Sequence, residues 1–324
     1  MSLARTRFVI CMLSGTALVT GGVGFIGSHL CKRLAAAGLA VHSASRREHP
    51  GEPYVKHWKV DLSDFDSVNG LITRIRPDYV FHLASHVMGS PDISHVLPTF
   101  HGNLQTTVNL LTAVARVGCK RFVTTGSFVE PANEAGDVMP SSPYAVAKWS
   151  STAYCKLFRE FYKVPVATAR VFMVYGPGQQ DSTKLVPYTI QSVLKGEPPQ
   201  ISSGRRLLDW VYVEDVAEGL LRLALAPNAE GQTVDIGSGA LIATSDLVTK
   251  ICRIAGNGVQ PLLGALPDRP MEPSSIADVA ASHRLIGWSP SVSLDEGLRR
   301  TFESYRLSAA EGRRDPAHPR NGTS

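Results

Sequence analysis

The chain has 324 residues, 44% hydrophobic and 19% charged, which excludes a disordered polypeptide and is enough to bury a full α/β core. Its formal charge of +5 comes from scattered basic residues, clustered only at Arg46-Arg47, Arg205-Arg206, Arg299-Arg300 and Arg313-Arg314; with no basic helix and no aromatic stacking motif, no nucleic-acid partner is expected, and an anionic cofactor accounts for part of the excess. The five cysteines, Cys11, Cys31, Cys119, Cys155 and Cys252, lie far apart with no C-x-x-C pair, so they read as reduced thiols and no metal site is expected.

In chain order, Arg5 and Arg7 before Phe8–Leu13 imitate an export signal, but a cut near Ala17 would destroy the first strand. No apolar run is long enough to span a membrane, so the expected location is cytoplasmic. Thr16–Thr20 is a short, apolar, β-rich run, and Ile26, Leu30 and Leu34 then recur at helical spacing up to Ala37-Gly38. Between strand and helix stand Gly21, Gly24 and Gly27, three apart. A strand turning tightly into a helix aims several unpaired N–H groups at one point, and glycines let a pyrophosphate approach it. This spacing, followed by Phe25-Ile26-Gly27-Ser28, resembles the extended short-chain dehydrogenase/reductases, the NAD-dependent epimerase/dehydratase family. The resemblance covers residues 16 to 300 and implies a Rossmann fold, a nicotinamide dinucleotide and a sugar substrate.

The second strand, Ala40–Ala44, ends in Ser45-Arg46-Arg47. An acid here would bond the ribose 2′-hydroxyl of NAD; a serine followed by two guanidinium groups suits a 2′-phosphate, so NADP(H) is the expected cofactor. The resemblance sets Asp61 and Leu62, at the next strand end, against the adenine. A helix follows over Ser67–Ile75, then a strand from Tyr79 whose end, Leu83-Ala84-Ser85, lies beside the cofactor, with His86 as a candidate substrate contact. Asn103 is expected to begin a helix to Val117 in a segment, N-L-Q-T-T-V-N-L-L, similar to the family's N-x-x-G-T-x-N-L-L with Thr106 in place of glycine. The alternation of strands and helices predicts an α/β fold with a doubly wound parallel sheet.

The strand from Lys120 ends in Thr125-Gly126-Ser127, and Ser142-Pro143-Tyr144 precedes Lys148. Tyr144 and Lys148, four apart, project from one helix face. Reduction of a carbonyl needs a proton as hydride arrives, and a phenol near pKa 10 needs a nearby cation to exchange one at neutral pH. Ser127 would hydrogen-bond the substrate oxygen, Tyr144 would move the proton, and Lys148 would stabilise the phenolate and, by the resemblance, hold the nicotinamide ribose.

Beyond a strand over Val166–Met173, whose Val171 and Phe172 complete the cofactor residues, a smaller C-terminal part is expected to face the substrate. The reading assigns 14–172 plus 209–240 to the NADP-binding Rossmann domain, 173–208 plus 241–310 to the substrate-binding part, and 311–324 to a disordered tail. The family's R-x-F-N-x-Y-G-P has Met173 here instead of asparagine, its R-D-F-x-x-V-D-D-V has Leu208 instead of arginine, and Lys184 stands where asparagine often precedes Leu-x-x-Pro. Dehydratases of the family carry adjacent acids after the serine or threonine, where Phe128-Val129 lie here, so dehydration is disfavoured.

The expected activity is NADPH-dependent reduction of a ketone on a sugar ring, such as an aminoglycoside or deoxysugar intermediate of antibiotic biosynthesis. Met173, Lys184, Arg205, His86 and Glu130 are the candidate substrate residues, and Glu134 and Asp181 are further acids for a cationic sugar. The alternatives are a nucleotide-sugar epimerase and, in another class, a non-catalytic NADP(H)-binding redox sensor. The resemblance also implies a homodimer, formed by the helices of residues 103–117 and 144–162.

Overall fold

Strand β1 (Thr16–Thr20) is buried at four of its five residues, which is why it reads as a continuous apolar run and not as an alternating one. The computed structural model describes residues 13–50, 52–130, 139–268 and 274–314. Helix α1 (Phe25–Ala36) buries Gly27, Leu30, Cys31 and Leu34, the spacing of a single helix face. Then come β2 (Ala40–Ser45), β3 (Val55–Lys59), α2 (Phe65–Ile75) and β4 (Tyr79–His82). Asp64 caps α2 by accepting from the Ser67 N–H at 3.2 Å, and the left-handed Arg76 ends it.

One helical turn, α3 (Val96–Thr99), runs into a π-helical stretch, Phe100–Gln105, before α4 (Thr106–Val117). The single helix expected from Asn103 is therefore broken at its start. Asn103 is buried within the π stretch, where its side chain bonds the backbone of His86 on both sides: its Oδ1 accepts from the N–H at 2.6 Å, and its Nδ2 donates to the carbonyl at 3.1 Å. A widened turn of this kind redirects a side chain without ending the helix. Strand β5 (Arg121–Ser127) leads to α5 (Pro143–Tyr162), opened by Pro143 and capped by Ser142.

The expected strand over Val166–Met173 divides at Phe172 into β6 (Val166–Val171) and β7 (Met173–Tyr175), which enter different sheets. The remaining elements are α6 (Leu185–Leu194), β8 (Leu207–Tyr212), α7 (Val213–Leu225), β9 (Thr233–Ile236), β10 (Leu241–Ala243), α8 (Thr244–Ala255), α9 (Val279–Ile286) and α10 (Leu294–Arg314). Helix α10 runs four residues into the stretch read as a tail, and 315–324 lie outside the described residues.

The large sheet has the order β3-β2-β1-β4-β5-β6-β9, with parallel pairing from β3 through β5. This is the doubly wound α/β architecture. Strand order reverses between β1 and β4, and a crevice opens at the carboxyl ends of such strands. Thr20 pairs with Ala44 on one side and His82 on the other, which fixes the ends of the three strands around that point.

The chain forms two compact units: one of the residues up to Arg170 with Ala217–Val234 and Ala281–Trp288, the other of Val171–Val216, Asp235–Ala280 and the residues from Ser289. Strand β8 thus belongs with the smaller unit, whose sheet has the order β10-β8-β7. In that unit the Asp209 carboxylate is buried and accepts from Ser238 N (2.5 Å), Ser238 Oγ (2.7 Å), Gly239 N (2.9 Å) and Ala277 N (3.0 Å). Among the described residues no helix is long and apolar enough to cross a membrane, and no group of three or more His, Cys, Asp or Glu could hold a metal ion. Replacing Asp209→Ala leaves these four donors without their acceptor, the Ala277 N–H among them buried, so urea unfolding should show a loss of about 1–3 kcal/mol.

Candidate active site

The turn after β1 is built by what a side chain would strike. A Cβ at Gly27 would lie 2.1 Å from the Gly21 carbonyl oxygen and 2.8 Å from Gly22 Cα, so α1 rests directly on the turn. Gly21 has φ +70°, and a Cβ there would meet Ala84 N at 2.9 Å. Gly24 differs: it is exposed, and the nearest atom to a Cβ would be the Gly21 carbonyl oxygen at 3.1 Å. Gly24 caps α1 with no side-chain hydrogen bond, and the first turn carries no acid. Free N–H groups, the positive end of a helix dipole and an open approach at Gly24 fit the pyrophosphate of a dinucleotide. Phe25 and Ile26, half-buried, open the helix beside it.

The end of β2 carries Ser45 in place of an acid. Ser45 Oγ donates to the Arg47 carbonyl at 2.9 Å, and Arg46 and Arg47 are exposed. Asp61 accepts from Ser63 N at 2.9 Å and Ser63 Oγ at 2.8 Å, bonds that hold its carboxyl below the usual range, with the Arg46 charge adding to them. Leu62, expected against the adenine, is instead 4% exposed and packed in the main core cluster with Leu71 and Leu110. Leu83 and Ala84 are fixed by Thr20, which accepts from Leu83 N on its carbonyl (3.2 Å) and from Ala84 N on its hydroxyl (3.2 Å).

Tyr144 and Lys148 share one face of α5, and the Tyr144 hydroxyl is hydrogen-bonded to the side chains of Ser127, at the end of β5, and Ser85, beyond β4. Loss of water around it raises the Tyr144 phenol, the two serines pull it down and the Glu130 charge adds to the rise, which leaves it pushed up to about 12. Burial brings the Lys148 ammonium down to about 8, against the pull of Glu130. The ammonium does not bond the phenol. It donates to the Thr125 carbonyl at 2.8 Å and to the Thr125 hydroxyl at 3.4 Å, 5.9 Å from the Tyr144 ring centre. The site therefore holds a protonated phenol at neutral pH, a buried cation one turn along, and a serine hydroxyl able to bond a second oxygen.

Several residues appear here that sequence reasoning placed differently or missed. Ser85, read as a cofactor contact, touches Tyr144 and donates to Asn103 Oδ1 at 3.0 Å. His82 joins Thr20 Oγ1 (2.8 Å) to Thr107 Oγ1 (3.0 Å), and burial with the nearby Lys148 charge lowers it to about 3, so it stays neutral. The His86 imidazole Nε2 is buried and the ring lies 6.1 Å from His95, so that atom is not open to a substrate. Glu130 gives both oxygens to the protein: Oε1 accepts from Ser127 N at 2.6 Å and Oε2 from Thr152 Oγ1 at 2.9 Å. It is not the free substrate carboxylate expected.

In the smaller unit, Val171 and Phe172 are buried, Met173 is half-exposed, and Leu208 is buried in β8 opposite Ile242. Lys184 lies 3.9 Å from Asp181, whose carboxylate also accepts from Thr183, while Arg205 is exposed. Glu134 lies outside the described residues.

The sequence profile of the NAD dependent epimerase/dehydratase family matches residues 17–237, and the chain belongs to this family. It is 31% identical to a UDP-glucose 4-epimerase of Mycolicibacterium smegmatis, over 89% of this chain and 98% of that protein. Among solved structures, UDP-glucose 4-epimerase from Thermotoga maritima, in complex with UDP-glucose, is 28% identical with a TM-score of 0.82, covering 92% of this chain and all of the other. Bordetella bronchiseptica WbmF, solved with NAD+, is 30% identical with a TM-score of 0.80, over 94% of this chain and 96% of that one.

The two glycines separate cleanly in a test. Gly27→Ala should lower the melting temperature steeply, because its Cβ has no room. Gly24→Ala should keep the fold and, by filling the anion cradle, abolish dinucleotide binding in calorimetry.

Proposed function

We propose that the chain is a nucleotide-sugar epimerase that oxidises a ring hydroxyl of its substrate and reduces the resulting ketone from the other face. The observation that carries this reading is the meeting of Ser127 and Ser85 on the hydroxyl of Tyr144, one turn from the buried Lys148. The relatives named above support it over the simple ketosugar reductase expected from the sequence.

A nicotinamide dinucleotide held here would supply the hydride acceptor and donor. Gly21, Gly24 and Gly27 would hold its pyrophosphate at the start of α1, and Ser45, Arg46 and Arg47 would meet the adenosine ribose. Tyr144, once its phenol has given up its proton to solvent, would take the proton of the sugar hydroxyl as hydride leaves and give it back as hydride returns, so protons and electrons balance over the cycle. Ser127 bonds the same sugar oxygen and keeps it in line. Lys148 stabilises the phenolate through the intervening low-dielectric space.

The decisive experiment incubates the protein with UDP-sugars and either cofactor and follows epimer formation by NMR. Tyr144→Phe should retain cofactor binding and lose roughly 100-fold or more of the rate. Equal rates in both proteins would remove the mechanism. One observation favours reduction of a sugar that carries no nucleotide: the apolar Met173 at a position where the family has asparagine. Absence of UDP and dTDP binding, with NADPH oxidation by a keto-glycoside, would turn the assignment to that reaction.

The β2 end also favours a phosphorylated cofactor. NADP+ should bind more tightly than NAD+, and Arg46→Ala combined with Arg47→Ala should erase the difference; equal dissociation constants in the native protein would exclude the preference. A homodimer is the proposed assembly. Trp149, Leu157 and Phe161 on α5 are exposed, and a cavity of about 420 Å³ beside that helix is lined by Val96, Phe100, Leu104 and Val146. Light scattering of the full chain should give twice the monomer mass.

A further inference from the structure

Glu130 sits three residues past Ser127, in a turn closed by its own N–H to the Ser127 carbonyl at 3.1 Å. Its carboxylate folds back over the strand end, where Oε1 takes the Ser127 N–H at 2.6 Å. Gly126 makes the room: a Cβ there would lie 2.8 Å from that same Oε1. The other oxygen takes the hydroxyl of Thr152 at 2.9 Å. Tyr144, Lys148 and Thr152 are spaced by four on α5 and so form one stripe along the helix. One carboxylate thus bridges the end of β5 that carries Ser127 to the face of α5 that carries the phenol and the ammonium.

We propose that Glu130 is a positioning residue of this site: it locks the strand end bearing Ser127 to the helix face bearing Tyr144 and Lys148, and supplies the negative charge that the buried ammonium faces. The other titratable groups that bear on Lys148 are neutral near pH 7. His82, from β4, is held near 3; Cys155, from α5, is pushed up to about 12 by burial; Tyr144 stands at about 12. Thr125 contributes only neutral acceptors. Among these described groups Glu130 is the one that brings a negative charge near pH 7, and with the Thr125 acceptors it offsets the loss of water around the cation.

The inference rests on the proposed active site, but its test does not require turnover. The free, full-length protein is labelled with 13C at lysine Cε, and the Lys148 signal is assigned by its loss in Lys148→Met. In the native protein it should titrate near 8. In Glu130→Gln, which keeps the shape and removes the charge, the midpoint should fall. In Glu130→Asp, which keeps the charge at a shorter reach, it should lie between the two, and this variant carries the test if the glutamine variant does not fold. A merely structural role would lower stability and leave the midpoint in place, and an unchanged midpoint in both variants overturns the proposal. In the working enzyme Glu130→Gln should lower kcat by roughly 10- to 100-fold with KM nearly unchanged, and the alkaline limb should move down in pH with the Lys148 midpoint. If no sugar nucleotide is turned over by the native protein, the functional reading fails while the titration still decides the role of Glu130.

Discussion

The structure depends first on a contact that leaves no space for a side chain, the seat of Gly27 on the Gly21 carbonyl. With a Cβ position only 2.1 Å from that oxygen, α1 cannot be shifted away from the turn or rotated without losing the contact. The turn is then forced into the left-handed region at Gly21 and pressed against Ala84 after β4. Two successive close approaches therefore tie the start of α1 to the end of β4. An anion site made of backbone N–H groups needs that rigidity, because its donors have no side-chain freedom with which to adjust.

From Ala84 the constraint continues in polar form. Thr20 bonds Ala84 N and His82, His82 bonds Thr107, and Thr107 bonds the carbonyl of Asn103 at 2.6 Å. Asn103 holds both the backbone of His86 and the hydroxyl of Ser85. Ser85 then reaches Tyr144. Each group in this chain is satisfied, as burial requires, since an unpaired polar group in such a place costs about 1–3 kcal/mol. The π-helical stretch before α4 has its explanation here. A regular helix would carry the Asn103 side chain elsewhere and leave the loop after β4 without its anchor.

Two parts of this were legible in the sequence, the glycine spacing and the Tyr144/Lys148 pair, because both are local: three residues set a turn, and a spacing of four sets a helix face. What stayed hidden depends on partners distant along the chain. Nothing near Glu130 in sequence announces Thr152, so a half-buried bridging carboxylate looked like a free one. Leu62 follows an acid at a strand end, yet its side chain turns into the core with Leu71 and Leu110. Asp209 sits in a recognisable motif, but its four donors come from Ser238, Gly239 and Ala277, which no periodicity connects to it.

The electrostatics of the site follow from one imbalance. Burial acts on the phenol and the ammonium in the same sense, opposing the charge of each, and so separates their titrations from nearly equal ordinary values to about 12 and about 8. Left to burial alone, the cation would be lost and the phenolate would not form. Glu130 answers the first problem and worsens the second, since the anion that favours Lys148 disfavours an ionised Tyr144. The side chains of Ser127 and Ser85 act the other way, Ser127 by a hydroxyl able to donate to a phenolate, whereas the Ser85 proton goes to Asn103 Oδ1. A phenol that must release and recover a proton within one cycle needs these opposing pulls near balance. That requirement explains why a carboxylate and two serines gather around a single tyrosine.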